Sequence, residues 1–213
     1  EFSTTSKIGN PYTTKSSFDK FIFAYESDNW VKLYKPLDEK KYKFQYLGTK
    51  AQGFIFGWKQ LPVSGELLII TGGEKDVMTL AAKGFNAITL NSETATLPKS
   101  IVDELKLRFK TILVLYDNDE TGLKQSNILA VAHGLHRLVL PTLQNNGKDI
   151  SDYFANGETL EKFNALLLTA IQTPAPVELD VEKSVYNAVE LLARGEVEQQ
   201  YLMEPIFPQK GSA

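Results

Sequence analysis

The chain contains no cysteine and only two histidines, His133 and His136, in 213 residues. Disulfides, thiolate metal sites and zinc ribbons are thereby excluded within it. A metal site built from what remains is an all-oxygen site, which suits Mg²⁺ or Mn²⁺ rather than zinc. Long apolar runs are lacking too. None approaches the roughly 18 residues that a spanning helix needs, so no membrane is expected as a partner. No charged segment leading into a short apolar run opens the chain as a secretory signal does. A cytoplasmic protein fits these absences.

What is present is ordinary in bulk and uneven in distribution. Hydrophobic residues make up 43% and charged residues 23%, as in a soluble globular protein. The net charge of −3 hides an asymmetry, because residues 1–60 hold ten lysines against six carboxylates while the remainder carries −7. Fourteen of the 23 aromatic residues lie in the same first 60 positions. A basic, aromatic-rich segment thus precedes an acidic one. The lysines are either a solvated face over a small β-core or a track for nucleic-acid phosphates.

Period and punctuation divide the chain. Residues 1–17 are polar and aperiodic and read as a tail or extended arm. From 18 to 62, short runs such as FDKFIFAYES, NWVKLYKP, KYKFQYLG and QGFIFGW, broken by Pro, Gly and Asn, predict an antiparallel β-rich subdomain. From 63 to 172, strands alternate with helices. The strands are LLIIT (67–71), NAITL (86–90), TILVLY (111–116) and HRLVLP (136–141), and helices are expected near 75–83, 98–109, from the DNDETG turn to about 133, and 158–172. Such alternation predicts an α/β fold with a parallel sheet and helices on both faces. Residues 173–213, with a helix expected at about 178–195, read as a helical linker toward a further domain.

Acidic clusters follow the strands. Asp76 lies in GGEKD, Asp117 and Asp119 in YDNDETG, Asp149 and Asp152 in GKDISD, each at or just past a strand end. Ligands of open parallel sheets bind at the carboxyl ends of strands, and carboxylate-held divalent metal is the usual equipment of phosphoryl and nucleotidyl transfer. Singly, Asp117 or Asp119 reads equally well as a cap of the following helix; the three clusters in series favour a site. Lys148 either contacts a triphosphate or is a solvated loop residue. Lys75 opens a helix, where its charge opposes the dipole but helps a phosphate. The histidines lie apart from these clusters and read as surface or half-buried residues.

This order of motifs resembles the Toprim domain shared by primases, topoisomerases and some nucleases, and is most similar to the primases. The family pattern runs E-G-x-x-D, then D-x-D-x-x-G, then (K/E)-D-x-x-(D/E); Asp76, Asp117, Asp119, Gly122 and Asp149 fall on it. Upstream, Lys43, Phe44, Phe56 and Gly57 resemble the primase stretch that leads to an F/Y-G step. The resemblance implies a Toprim-type sheet preceded by a basic subdomain that lines a groove for single-stranded template. It implies metal-dependent RNA-primer synthesis from nucleoside triphosphates, with Asp117, Asp119, Asp149 and Asp76 holding Mg²⁺ (or Mn²⁺). Asp117, Asp119, Asp76 and Glu74 are then the catalytic candidates, Lys148 and Lys75 the nucleotide-binding ones, and Lys32, Lys35, Lys41 and Lys43 the nucleic-acid-binding ones. A replicative helicase, fused or separate, is the implied partner, as in primase–helicases of phage or mobile elements.

Two positions depart from the pattern. The first family glutamate falls on Gly72, and SETA at 92–95 stands where primases tend to have S-G-T-A. Glu74, two residues on, need not substitute. Glu93, a spare carboxylate in the loop after the second strand, either points into the same cleft or is solvated, the second being the expectation. A glycine pair after a strand is also a place for positive φ, which a glutamate would resist. The mitochondrial replicative helicase twinkle, similar here, also lacks that glutamate. A second expectation is therefore a catalytically degenerate Toprim that binds single-stranded DNA for a helicase, and a third is a Toprim nuclease. No phosphate loop of the form G-x-x-x-x-G-K-[S/T] occurs in these residues.

Overall fold

The computed structural model describes residues 2–5, 11–27, 29–49 and 53–176; the helix expected at about 178–195 lies outside them. Its strands are β1 (Phe2–Thr5), β2 (Pro11–Thr14), β3 (Phe23–Glu26), β4 (Trp30–Tyr34), β5 (Phe44–Gly48), β6 (Ile55–Phe56), β7 (Gly65–Thr71), β8 (Asn86–Leu90), β9 (Phe109–Leu115) and β10 (His136–Arg137). The helices are α1 (Glu74–Ala82), α2 (Lys99–Arg108), α3 (Glu120–His133), α4 (Ile150–Ala155) and α5 (Leu160–Gln172).

β7 is central because its sequence leaves it no polar face. Leu68, Ile69, Ile70 and Thr71 are buried in succession, as expected of a parallel strand covered on both sides. The sheet order is β10-β9-β7-β8-β6, with every pair parallel except β6 with β8. Alternation splits the apolar side chains into two cores. Leu68, Ile70, Ile88, Ile112 and Val114 pack with Val102 and Leu105 of α2 and Leu129 of α3. Ile69, Leu113 and Leu115 pack with Val77 and Leu80 of α1, Tyr153 of α4, and Phe163 and Leu167 of α5. The architecture is α/β with helices on both faces.

A second sheet, β3-β4-β5, is an antiparallel meander. Register places Phe23, Tyr25, Lys32, Tyr34, Phe44 and Tyr46 on one face. Phe23 stacks on Tyr34 at 6.0 Å and Tyr34 on Phe44 at 5.1 Å, an aromatic row across the three strands.

Three elements differ from the sequence reading. Residues 2–5 and 11–14 form a hairpin, with the Ser3 and Thr13 hydroxyls 3.1 Å apart, where an aperiodic tail was expected; the Thr residues it contains suit a strand without needing a buried face. QGFIFGW does not join the small sheet, since β6 pairs with β8 through Ile55–Leu90 and Phe56–Thr89. Gly57 makes that crossing possible: it holds φ 91°, and a Cβ there would lie 2.6 Å from the Ala87 carbonyl oxygen. HRLVLP pairs only at His136 and Arg137. Beyond them the Asn118 amide donates to the Leu140 carbonyl at 2.9 Å, and Pro141 has no N–H to extend a ladder.

Candidate active site

Each carboxylate of the site arrives on a different element. Asp76 lies in the first turn of α1, Asp117 follows β9, and Asp149 caps α4 by accepting from the Asp152 N–H at 2.7 Å. The close parallel pairing of β7 with β9 brings the first two together. The loop after Asp117 is tight because Gly122, at the start of α3, packs directly on the Asp117 carbonyl, where any side chain would collide. The third comes in through a backbone bond, as the Asn118 N–H donates to the Lys148 carbonyl at 2.7 Å. One oxygen each from Asp76, Asp117 and Asp149 then lies within 4.8 Å of the others.

The group is electrostatically loaded. Asp76 is buried, and its carboxyl is pushed up to about 7 by that burial first and by the Asp149 charge second. The Ser151 hydroxyl donates to it at 2.6 Å and opposes the shift. Lys75 reaches Asp149 at 2.8 Å, and Lys148 bridges Asp117 and Asp119 at 2.7 Å each. Burial works to lower both ammoniums, yet their bonds to the carboxylates raise them above the ordinary range. Three converging oxygen donors, two lysines drawn to them and one carboxyl held near half-protonation at neutral pH fit a hard divalent cation.

Asp119 does not join the three. Its carboxylate caps α3, accepting from the Gly122 N–H at 2.9 Å, and that bond first and Lys148 second hold it below the usual range. Glu74 is buried on the cleft wall, but both of its oxygens are taken by the Lys32 ammonium at 2.7 Å. Lys32, expected on a nucleic-acid face, is therefore a correction: it points inward, is 7% exposed, and ties β4 to α1. The charge pattern of the segment could not reveal this, because the partner lies 42 residues away. Lys35 is half-buried beside Asp38 at 3.5 Å, Lys41 is exposed, and Lys43 lines the cleft.

Glu93 is the second correction. It is half-buried rather than fully solvated: it projects from the loop after β8 and lines the cleft beside Asp117. Its carboxyl is pushed up to about 7, by burial and then by Asp117. A Cβ added at Gly72 would lie 2.7 Å from Glu93 Oε1 and 3.1 Å from Asp117 Oδ1. Gly72 does not hold a positive φ.

These groups form one wall of a cleft of about 630 Å³. The facing wall is the aromatic row of the small sheet, with Tyr34, Phe44 and Tyr46 reaching into it. Phe44 and Tyr46 are substantially exposed. The Tyr25 hydroxyl, buried between the walls, finds no partner among the described residues. A second cavity of about 540 Å³, lined by Phe54, Trp58 and Ile101 among others, has a single carboxylate on its lining, Glu26, and no cluster of them. No helix among the described residues is long and apolar enough to cross a membrane.

No family model matches the chain, and no curated protein matches it. Solved structures do. The primase fragment of the bacteriophage T7 primase–helicase protein is 24% identical, with a TM-score of 0.50 over 67% of this chain and 61% of that one. The DnaG primase catalytic domain bound to single-stranded DNA is 18% identical, with a TM-score of 0.55 over 79% and 57%. A DNA primase domain from Pseudomonas aeruginosa is 18% identical, with a TM-score of 0.56 over 82% and 56%. The chain thus spans less than two thirds of the length of each of these three. Helices on both faces of a mostly parallel sheet, a separate antiparallel sheet and a cleft between them give this chain the fold of the DNA primase catalytic cores.

Proposed function

We propose that this chain is the metal-dependent RNA-primer-synthesising core of a DNA primase, working in the cytoplasm within a larger primase–helicase assembly. The observation that carries it is the convergence of Asp76, Asp117 and Asp149 within 4.8 Å, opposite an exposed aromatic wall. Asp76, Asp117 and Asp149 would hold Mg²⁺ or Mn²⁺. Bound there, such an ion offsets charge on a triphosphate and lowers the barrier to attack by a 3′-hydroxyl on the α-phosphate. Lys148 and Lys75, now engaged by the same carboxylates, are the cations nearest the place for a triphosphate. Phe44 and Tyr46 offer flat faces on which template bases stack, and Lys43 a charge for the backbone. Asp119 keeps α3, and through Lys148 the Asp149 loop, in place.

The experiment is incorporation of labelled ribonucleotides on single-stranded DNA, with the chain joined to a zinc ribbon and a helicase. Synthesis that disappears in Asp117→Asn and in Asp149→Asn supports the reading. Gly72, which brings no carboxylate of its own, favours a second one, a single-stranded DNA-binding module of a helicase. Intact DNA binding with no synthesis from the wild type would leave only that.

A further inference from the structure

We infer that Glu93 is a metal ligand of this site, reaching across from the loop after β8 into the space that the missing side chain of Gly72 leaves open. The inference rests on the metal-dependent reading above and adds a residue to it.

The geometry begins with the sheet. β7 and β8 run parallel and in register through Thr71 and Thr89, so the residues after each strand emerge side by side. Gly72 is the first residue past β7, and Glu93 comes three residues past β8. The three atoms nearest to a Cβ at position 72 are Oε1 and Cδ of Glu93, at 2.7 and 3.5 Å, and Oδ1 of Asp117, at 3.1 Å. No backbone atom is among them. Glycine is not needed there for the chain path either, since its φ is not positive. The remaining reason for it is room: any side chain at 72 displaces the Glu93 carboxylate from the side of Asp117.

Glu93 also stands beside Asp117: its Oε1 and the Asp117 Oδ1 lie 2.7 and 3.1 Å from the same point, a Cβ at 72. Its loop neighbours Ser92, Thr94 and Ala95 carry no charge, Ser92 and Thr94 bond each other at 3.1 Å, and Lys148 is a cation whose charge acts on it. The two departures from the family pattern, a glycine at 72 and a glutamate at 93, are thus one contact. A carboxylate has been moved from one strand end to the next without leaving the cleft.

The test uses Mn²⁺ titration followed by electron paramagnetic resonance, together with primer synthesis by the full assembly. Glu93→Gln keeps size and polarity but loses the charge, and should weaken Mn²⁺ binding by about tenfold or more. Gly72→Ala leaves Glu93 intact but pushes it aside, and should weaken binding as well. The exchange Gly72→Glu with Glu93→Gly returns a carboxylate to the same space and should recover most of the affinity. Thermal unfolding without metal shows that each variant is folded. Unchanged Mn²⁺ affinity in both Glu93→Gln and Gly72→Ala overturns the inference. Glu93-dependent Mn²⁺ binding without any wild-type synthesis supports Glu93 as a ligand and sinks the primase reading, so the two failures are told apart.

Discussion

The two walls of the cleft handle charge in opposite ways. In the small antiparallel sheet the buried charge is paired: aromatic rings stack in register, and Lys32, buried beneath them, has both oxygens of Glu74. The buried groups left without a partner among the described residues, the Tyr25 hydroxyl and the Trp30 indole N–H, are neutral. On the strand-end wall, three carboxyl groups converge with Glu93 beside one of them, Asp76 and Glu93 are pushed up to about 7, and two lysines lean in from neighbouring elements. A wall whose charges are already paired suits a scaffold and a stacking surface. A wall that is short of positive charge is where a cation would bind. The Lys32–Glu74 pair joins them, so it belongs to the first kind while touching the second.

Breaking that joint should produce the largest effect. Removing one member of a buried ion pair leaves an uncompensated charge and costs about 3–5 kcal/mol. Lys32→Met is therefore expected to lower the urea midpoint sharply and to loosen the small sheet from α1. Replacing both partners, Lys32→Met with Glu74→Leu, should recover much of the loss, because a dry apolar contact needs no counter-charge. Equal stability of Lys32→Met and wild type would show that the pair is solvated and the two walls are independent.

The strand-end wall should respond to metal and pH instead. At a hundredfold excess over its dissociation constant, Mn²⁺ bound there should stabilise the folded chain by about 2.7 kcal/mol, and Asp117→Asn with Asp149→Asn should remove that gain. The sign of the pH effect follows from Asp76, which is raised from 3.8 to about 7 by burial and then by Asp149. Between those values the folded metal-free protein keeps a proton that the unfolded chain releases. Its contribution to stability is full below about 4 and is lost as pH rises through about 7. Metal requires that proton to leave, so stabilisation by Mn²⁺ should grow over the same window. Thermal unfolding from pH 4 to 8, with and without Mn²⁺, measures both slopes. Parallel curves would place the metal away from Asp76.

How much of this was legible in the sequence follows the same division. The parallel sheet was readable because β7, β8 and β9 are apolar runs rich in β-branched residues and leucine, ended by Gly72, Asn91 and Asp117, and alternate with helical segments. Asp76, Asp117 and Asp149 were readable as acidic clusters following successive strands of one sheet, although Asp149 reaches the other two from the cap of α4 and not from a strand end. Long-range pairings were not. Nothing in NWVKLYKP marks Lys32 as the partner of a glutamate 42 residues on, and β6 is too short to show which sheet it joins. Glu93 was misread for the same reason: a lone carboxylate in a polar loop looks solvated until the glycine facing it is known to be its neighbour. The signal was there in the pairing of two unusual positions, glycine at 72 and glutamate at 93, on adjacent strand ends.

The smallest effects belong to the aromatic wall and its lysines, and they decide whether that wall is only scaffold. Phe44 and Tyr46 are exposed along the cleft, whereas Tyr25 and Trp30 on the same face are buried. If bases stack there, Phe44→Ala and Tyr46→Ala should each weaken binding of single-stranded DNA by about 1–3 kcal/mol. Their packing partners remain, so the sheet should keep its stability. Lysines act differently, through released counterions, with a log–log salt slope of about −0.7 for each phosphate contact. Lys43, on the cleft, should change that slope by about one contact when replaced by Ala. Lys41, exposed and leaning on Tyr42 at 4.7 Å, should change it less, and Lys35, held near Asp38, less again. Fluorescence anisotropy of a labelled oligonucleotide across a salt series gives both quantities at once. Loss of affinity at Phe44 and Tyr46 with an unchanged slope would assign the wall to stacking alone. An unchanged affinity in all five variants would make the aromatic row a structural feature and move the template path elsewhere on the molecule.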